Sequence, residues 1–145
     1  MKPIHTRNEK ETLALAKRLA RTLKGGEVLL LEGELGAGKT TFVKGLAQAF
    51  GIKERVTSPT FVLIHQHRIR NQELGIRNLV HVDAYRIQNA RELEQAGLME
   101  WSGRPDTLTV IEWGEKTKPL LRGRIYKVIK FQHGKKENER IIQQR

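Results

Sequence analysis

Between Gly33 and Thr40 the chain reads G-E-L-G-A-G-K-T, directly after the apolar run E-V-L-L-L-E at Glu27 to Glu32. Gly33, Gly38, Lys39 and Thr40 fill every fixed position of the spacing G-x-x-x-x-G-K-[ST], which cradles nucleotide phosphates. Each residue type answers a physical need. Gly33, Gly36 and Gly38 let the backbone turn with its N–H groups inward, which makes an anion-binding nest. A helix starting near Lys39 adds the partial positive charge of its N-terminus. The Lys39 ammonium reaches the β- and γ-phosphates as a point charge. Thr40 offers its hydroxyl to Mg²⁺, and the Thr41 hydroxyl could meet the α-phosphate. The chemistry expected is binding of ATP with Mg²⁺.

A phosphate loop binds nucleotide without hydrolysing it; a metal shell and a way to orient water are also needed. Two acids end apolar strand-like runs, Asp83 after L-V-H-V and Glu112 after L-T-V-I. In a parallel sheet both would face the same edge as the phosphate loop, within reach of the metal directly or through water. Either one alone could instead cap a neighbouring helix. T-S-P-T-F, Thr57 to Phe61, could close over the γ-phosphate as switch segments do, or be a turn led by Ser-Pro. Trp113 could lie near the nucleotide or in the core. His65 and His67 share one face of an expected strand, but no third ligand stands nearby, which disfavours zinc.

These groups need elements to hold them. Leu13, Ala16, Leu19, Ala20 and Leu23 recur at helical spacing, with Gly25 as a stop. E-V-L-L-L-E-G reads as a strand buried on both faces, and K-T-T-F-V-K-G-L-A-Q-A-F-G as a helix. Strands are expected in S-P-T-F-V-L-I-H-Q-H-R-I and N-L-V-H-V-D-A-Y, as neighbours and possible hairpin partners. N-A-R-E-L-E-Q-A-G-L predicts a short helix capped by Asn89 and stopped by Gly97. T-L-T-V-I-E-W is a further strand, and R-I-Y-K-V-I-K-F-Q with E-R-I-I-Q-Q could pair around H-G-K-K-E-N. Early strand–helix alternation followed by a late strand run predicts an α/β fold: a P-loop NTPase-like three-layer domain around a mixed, mostly parallel sheet, spanning 1–145 as one unit.

Composition narrows the partners. Of 145 residues, 38% are apolar and 30% charged, too apolar for a disordered chain. The longest strongly apolar run, V-L-L-L, is far too short to cross a bilayer, so no membrane role is expected. The start has no apolar signal core, and without cysteine there is no disulfide or thiolate metal site, which fits a cytoplasmic protein. The net charge of +11 is uneven: residues 1–60 carry +5, 61–120 zero and 121–145 +6. That excess favours anionic partners, nucleotide or RNA, or serves as a solvated basic surface.

G-E-L-G-A-G-K-T-T-F, S-P-T-F, H-V-D-A-Y-R and I-E-W follow one another in that order. Together they resemble the TsaE (YjeE) family, small P-loop ATPases needed for threonylcarbamoyl modification of adenosine in tRNA, over about residues 6 to 142. The resemblance implies that the backbone of Gly36, Ala37, Gly38, Lys39, Thr40 and Thr41 wraps the phosphates. It implies that Thr40 and Glu112 contact Mg²⁺, that Asp83 is catalytic or in the metal shell, and that Lys39 takes part in catalysis. Ser58 and Thr60 would belong to the switch-like segment and Trp113 would lie beside the nucleotide; Thr6 to Asn8 and Arg140 would approach the base. It also implies partners, a TsaD–TsaB-type transferase pair, with tRNA met through that complex or directly through the basic tail. Hydrolysis alone would be slow, since no motif places an arginine finger in cis. Gln66 and His67 stand where the family tends to have Glu-Tyr, the stretch from His67 to His81 is long, and the basic tail is outside the family pattern. Two other functions compete. A small-molecule kinase would need an acceptor pocket and a basic lid. A non-enzymatic RNA-binding module would use the +11 charge, but aromatics are 6% and no aromatic RNA-recognition motif occurs.

Overall fold

A computed structural model describes residues 2–54, 56, 63–70 and 75–145. Among these the order of elements is β1 (Ile4–Thr6), α1 (Glu9–Ala20), β2 (Val28–Gly33), α2 (Lys39–Ala49), β3 (Ile64–Arg68), β4 (Asn78–Asp83), α3 (Arg91–Gln95), α4 (Leu98–Trp101), β5 (Thr107–Glu112), a 3₁₀ segment (Gly114–Leu121), β6 (Lys127–His133) and β7 (Arg140–Gln144). The strands form one sheet in the order β1-β7-β6-β2-β5-β4-β3. β2 pairs in parallel with both β5 and β6, and β4 in parallel with β5. The β1–β7, β6–β7 and β3–β4 pairs are antiparallel. β1, β6, β2, β5 and β4 therefore run one way, and β7 and β3 the other. This is the expected mixed, mostly parallel α/β sheet, and the first and last strands pair with each other at one of its edges.

Alternation along the central strands sends side chains to two faces. Leu29, Leu31, Leu79, Leu108 and Val110 pack with Ala16, Phe42, Val43 and Leu46 of α1 and α2. Val28, Leu30, Val80, Val82 and Ile111 pack with Leu93, Leu98 and Leu121 from α3, α4 and the 3₁₀ segment. Both faces are covered, so β2, β4 and β5 are buried along almost their whole length.

Several elements differ from expectation. The expected strand from Ser58 begins only at Ile64, and residues 57–62 lie outside the described set. Asn89 does not cap α3: the cap position is Ala90, without a side-chain bond. Instead the Glu92 carboxylate reaches back to accept from the backbone N–H groups of Gln88 (2.6 Å) and Asn89 (3.3 Å). Gly97, at φ +96°, ends α3 as expected, but α4 starts directly after it. β1 and the 3₁₀ segment carry no periodic signal and were not expected.

Candidate functional site

The site is assembled at the C-terminal ends of β2, β5 and β4, which are parallel neighbours in the sheet. β2 ends at Gly33, whose φ is +152°; a Cβ there would stand 2.4 Å from the Phe131 carbonyl oxygen, so only glycine lets the chain leave the sheet beside β6. The loop turns back at Gly38, φ +106°, the residue before α2. No side chain caps α2, so the first N–H groups of the helix, those of Lys39, Thr40 and Thr41, have no carbonyl one turn earlier and point into the loop. These are the N–H groups that the sequence assigns to an anion nest.

Lys39 is 4% exposed. Its ammonium donates to the carbonyls of Gly33 and Glu34, the latter at 3.1 Å, and sits 3.8 Å from the centre of the Trp113 ring. Burial pushes its pKa below the ordinary lysine value, while the carboxylates of Glu112, Glu115 and Asp83 pull it back up. The Thr40 hydroxyl donates to Glu112 Oε1 at 2.7 Å. Glu112, 3% exposed, is also 2.5 Å through Oε2 from Nε2 of the fully buried His81. An ionised carboxylate only accepts, so His81 donates from Nε2. Asp83 is the register partner of Glu112 across β4–β5, and its Oδ1 accepts from the Tyr85 N–H at 2.9 Å. Trp113 adopts a left-handed backbone, φ +60° and ψ +42°, which turns its ring back over Lys39. The ring also packs on Tyr85, centre to centre 4.9 Å, while Lys116 donates to the Tyr85 carbonyl at 2.5 Å.

These groups line a cleft of about 370 Å³. Gly36, Gly38, Lys39, Thr40, Thr41, Asp83, Glu112 and Trp113 form its walls with Leu35, Leu63, Tyr85 and Arg86. Ala37 is 1% exposed and tucked beneath the loop, its N–H donating to Glu34. Ser58 and Thr60 lie outside the described residues. Arg86, from H-V-D-A-Y-R, also lines the cleft. Arg140 runs alongside Gly38, with its Nη1 on the carbonyls of Glu137 (2.6 Å) and Glu139 (2.8 Å). Thr6 and Asn8 are engaged locally, Thr6 with the Thr12 hydroxyl at 2.8 Å and Asn8 as the cap of α1.

The donor set near Thr40 is one hydroxyl and two carboxylates, hard oxygens that suit Mg²⁺ completed by phosphate and water. Among the described residues no three His, Asp or Glu side chains gather into an all-protein metal cage. His65 and His67 meet edge to face, 6.2 Å apart, and burial with the two neighbouring histidines lowers the pKa of His67. Sequence reasoning missed His81, although a histidine inside an otherwise apolar strand was the signal available.

Residues 6–142 match the family model described as "Threonylcarbamoyl adenosine biosynthesis protein TsaE". Three relatives, each named "tRNA threonylcarbamoyladenosine biosynthesis protein TsaE", are similar over most of the chain. The protein from Streptomyces coelicolor is 42% identical over 77% of this chain and 73% of its own. That from Aquifex aeolicus is 38% identical over 82% and 81%, and that from Bacillus subtilis 44% over 74% and 63%. The matched stretch thus spans less than two thirds of the B. subtilis relative. The crystal structure of YdiB from B. subtilis superposes with a TM-score of 0.70 at 35% identity, covering 97% of this chain and 81% of that one. The fold is that of a P-loop protein.

Proposed function

The chain belongs to the TsaE family, and on that premise we propose that it is a Mg²⁺-dependent ATPase subunit of tRNA threonylcarbamoyladenosine biosynthesis, one P-loop domain over residues 1–145. The observation that carries this reading is the Thr40–Glu112 hydrogen bond beside Lys39, at the mouth of an uncapped helix. The loop N–H groups and the start of α2 bind the phosphates. Lys39, drawn from the Gly33 and Glu34 carbonyls, meets their charge as a near-dry ammonium, where a charge-assisted bond is strong. Trp113 and Tyr85 wall the cleft and exclude water from Lys39. Thr40, Glu112 and Asp83 would hold Mg²⁺, which supplies Lewis-acid stabilisation of charge on the transferring phosphoryl group. Asp83 and Glu112 also offer the carboxylates that would orient an attacking water. Ser58 and Thr60 would close over the γ-phosphate as a switch.

The partners in this reading are TsaD- and TsaB-like proteins, with tRNA reached through them and through the basic tail, in the cytoplasm. Among the described residues no helix is long and apolar enough to cross a membrane. The test is ATP turnover by the chain alone and with a transferase pair, at millimolar Mg²⁺. Slow basal turnover raised by the pair is expected. Calorimetry showing no heat of binding from ATP or ADP would overturn the reading.

A further inference from the structure

Glu112 has both carboxylate oxygens engaged, and the two partners come from different elements. Thr40 of α2 holds Oε1 at 2.7 Å, and His81 of β4 holds Oε2 at 2.5 Å. The His81 side chain has no exposure and that of Glu112 only 4%. Register explains the reach. His81 pairs with Val110 across β4–β5, two residues before Glu112, and the far nitrogen of the ring spans that offset along the strands. Among the described residues, His81 Nδ1 is buried without a hydrogen-bond partner. The carboxylate of Glu112 is thus the one polar anchor of the ring, and a buried nitrogen left unpaired costs stability. A leucine or valine in its place would fill an apolar strand position more cheaply. A ring that carries this cost is accounted for by what its other nitrogen does.

We infer that His81 is a positioning residue for Glu112: its Nε2–H fixes the carboxylate so that Oε1 is presented to Thr40 and to the metal. His81 acts through Glu112 and touches neither nucleotide nor metal itself. Without that bond, Oε2 is buried with no donor and the carboxylate is free to rotate away from Thr40. Partners of metal-ligating carboxylates tune affinity in this way, by about 10- to 100-fold. The inference rests on Glu112 being a metal ligand, as proposed above.

The test uses the full chain with His81→Leu, His81→Gln and Glu112→Gln. Glutamine places its amide nitrogen as far from the backbone as Nε2 and is a donor at any pH, so it separates donation from ring charge. The readouts are the Mg²⁺ concentration that half-saturates ATP binding by calorimetry, ATP affinity in EDTA, and the ¹⁵N NMR tautomer of the His81 ring in the wild type. The expectation for His81→Leu is a half-saturating Mg²⁺ concentration raised about 10- to 100-fold with EDTA affinity unchanged. His81→Gln should stay within about threefold of wild type, and the wild-type ring should carry its proton on Nε2. An unchanged Mg²⁺ requirement in His81→Leu, or a proton on Nδ1 alone, overturns the inference. If His81→Leu does not fold, the glutamine variant and the NMR tautomer decide, and a glutamine variant with a lost Mg²⁺ response overturns it. If Glu112→Gln leaves the Mg²⁺ response unchanged, the metal reading of Glu112 fails and takes this inference with it. If Glu112→Gln alters it and His81→Leu does not, only this inference falls.

Discussion

Gly114→Ala is a one-carbon change whose effect follows from the geometry. Gly114 is buried at the start of the 3₁₀ segment, and its φ is not left-handed, so alanine meets no backbone penalty there. The added Cβ would lie 2.5 Å from Leu30 Cβ and 2.9 Å from Leu30 Cα. Carbon atoms in contact sit about 3.5–4.0 Å apart, so about 1 Å of movement is required. Leu30 cannot supply it. It lies in the middle of β2 with no exposure, paired to Ile111 on one side and Val128 on the other. The 3₁₀ segment must move instead, and overpacking of this kind costs about 1–3 kcal/mol. For a chain of this size that lowers the melting temperature by roughly 3–12 °C. Trp113 precedes Gly114, so the same shift should carry its ring off Lys39. Thermal melts, with Trp113 emission recorded in a Trp101→Phe background, read both effects. A melting temperature equal to the parent refutes the steric reasoning. A lowered one with unchanged Trp113 emission refutes the link between Gly114 and the cleft.

Lys39→Ala should abolish MgATP binding, and Thr40→Ala should remove its Mg²⁺-dependent part; full ATP turnover by either variant contradicts the site assignment. Lys118 forms an ion pair with Glu32 at 3.0 Å, and that carboxylate raises its pKa above the usual 10.5. The pair therefore stabilises the fold fully below about pH 10.5 and loses that effect as pH rises through the folded-state value. Lys118→Met should cost at most about 1 kcal/mol at neutral pH, because the lysine end is solvent-screened, and should flatten the alkaline fall in denaturation midpoint; an equally steep fall sinks the assignment. Lys135 and Lys136 lie in the turn between β6 and β7. Reversing both to glutamate should weaken tRNA association and lower the salt slope by about 2 or more, measured by filter binding across salt concentrations. Unchanged affinity would leave the tail as plain surface.

The parts of the molecule legible in the sequence are those set by local chemistry. Gly33 to Thr40 follow a strand and open a helix, the context that the G-x-x-x-x-G-K-[ST] spacing predicts. Asp83 and Glu112 were readable as strand-end acids, and the sheet makes them register partners. The pairing of β3 with β4 is readable from two neighbouring strand-like runs. What escaped depends on distant pairing. β1 is three residues long and exists because Ile4 and Thr6 find Ile142 and Arg140 at the far end of the chain. The 3₁₀ segment contains Pro119 and has no helical stripe, so nothing local announces it. Asn89 is a reasonable cap by residue type, yet the cap position falls on Ala90, and the Glu92 side chain reaches back to the N–H groups of Gln88 and Asn89 instead.

The His81–Glu112 contact shows why one kind of site residue resists sequence reading. An acid at the end of a strand announces itself by interrupting an apolar run at a chemically useful edge. A histidine two residues earlier is indistinguishable from a core histidine until strand order and register are known. Only the parallel pairing of β4 with β5 brings Nε2 to Oε2, and only the parallel pairing of β5 with β2 brings the same carboxylate to α2. Glu112 is thereby held from both sides by rigid elements. Whatever alters the start of α2 acts on a carboxylate whose other oxygen is tied to β4. Asp83 lies two residues further along that same strand. The sheet is therefore what keeps the Gly33–Gly38 loop, Thr40 and the two acids in a common frame.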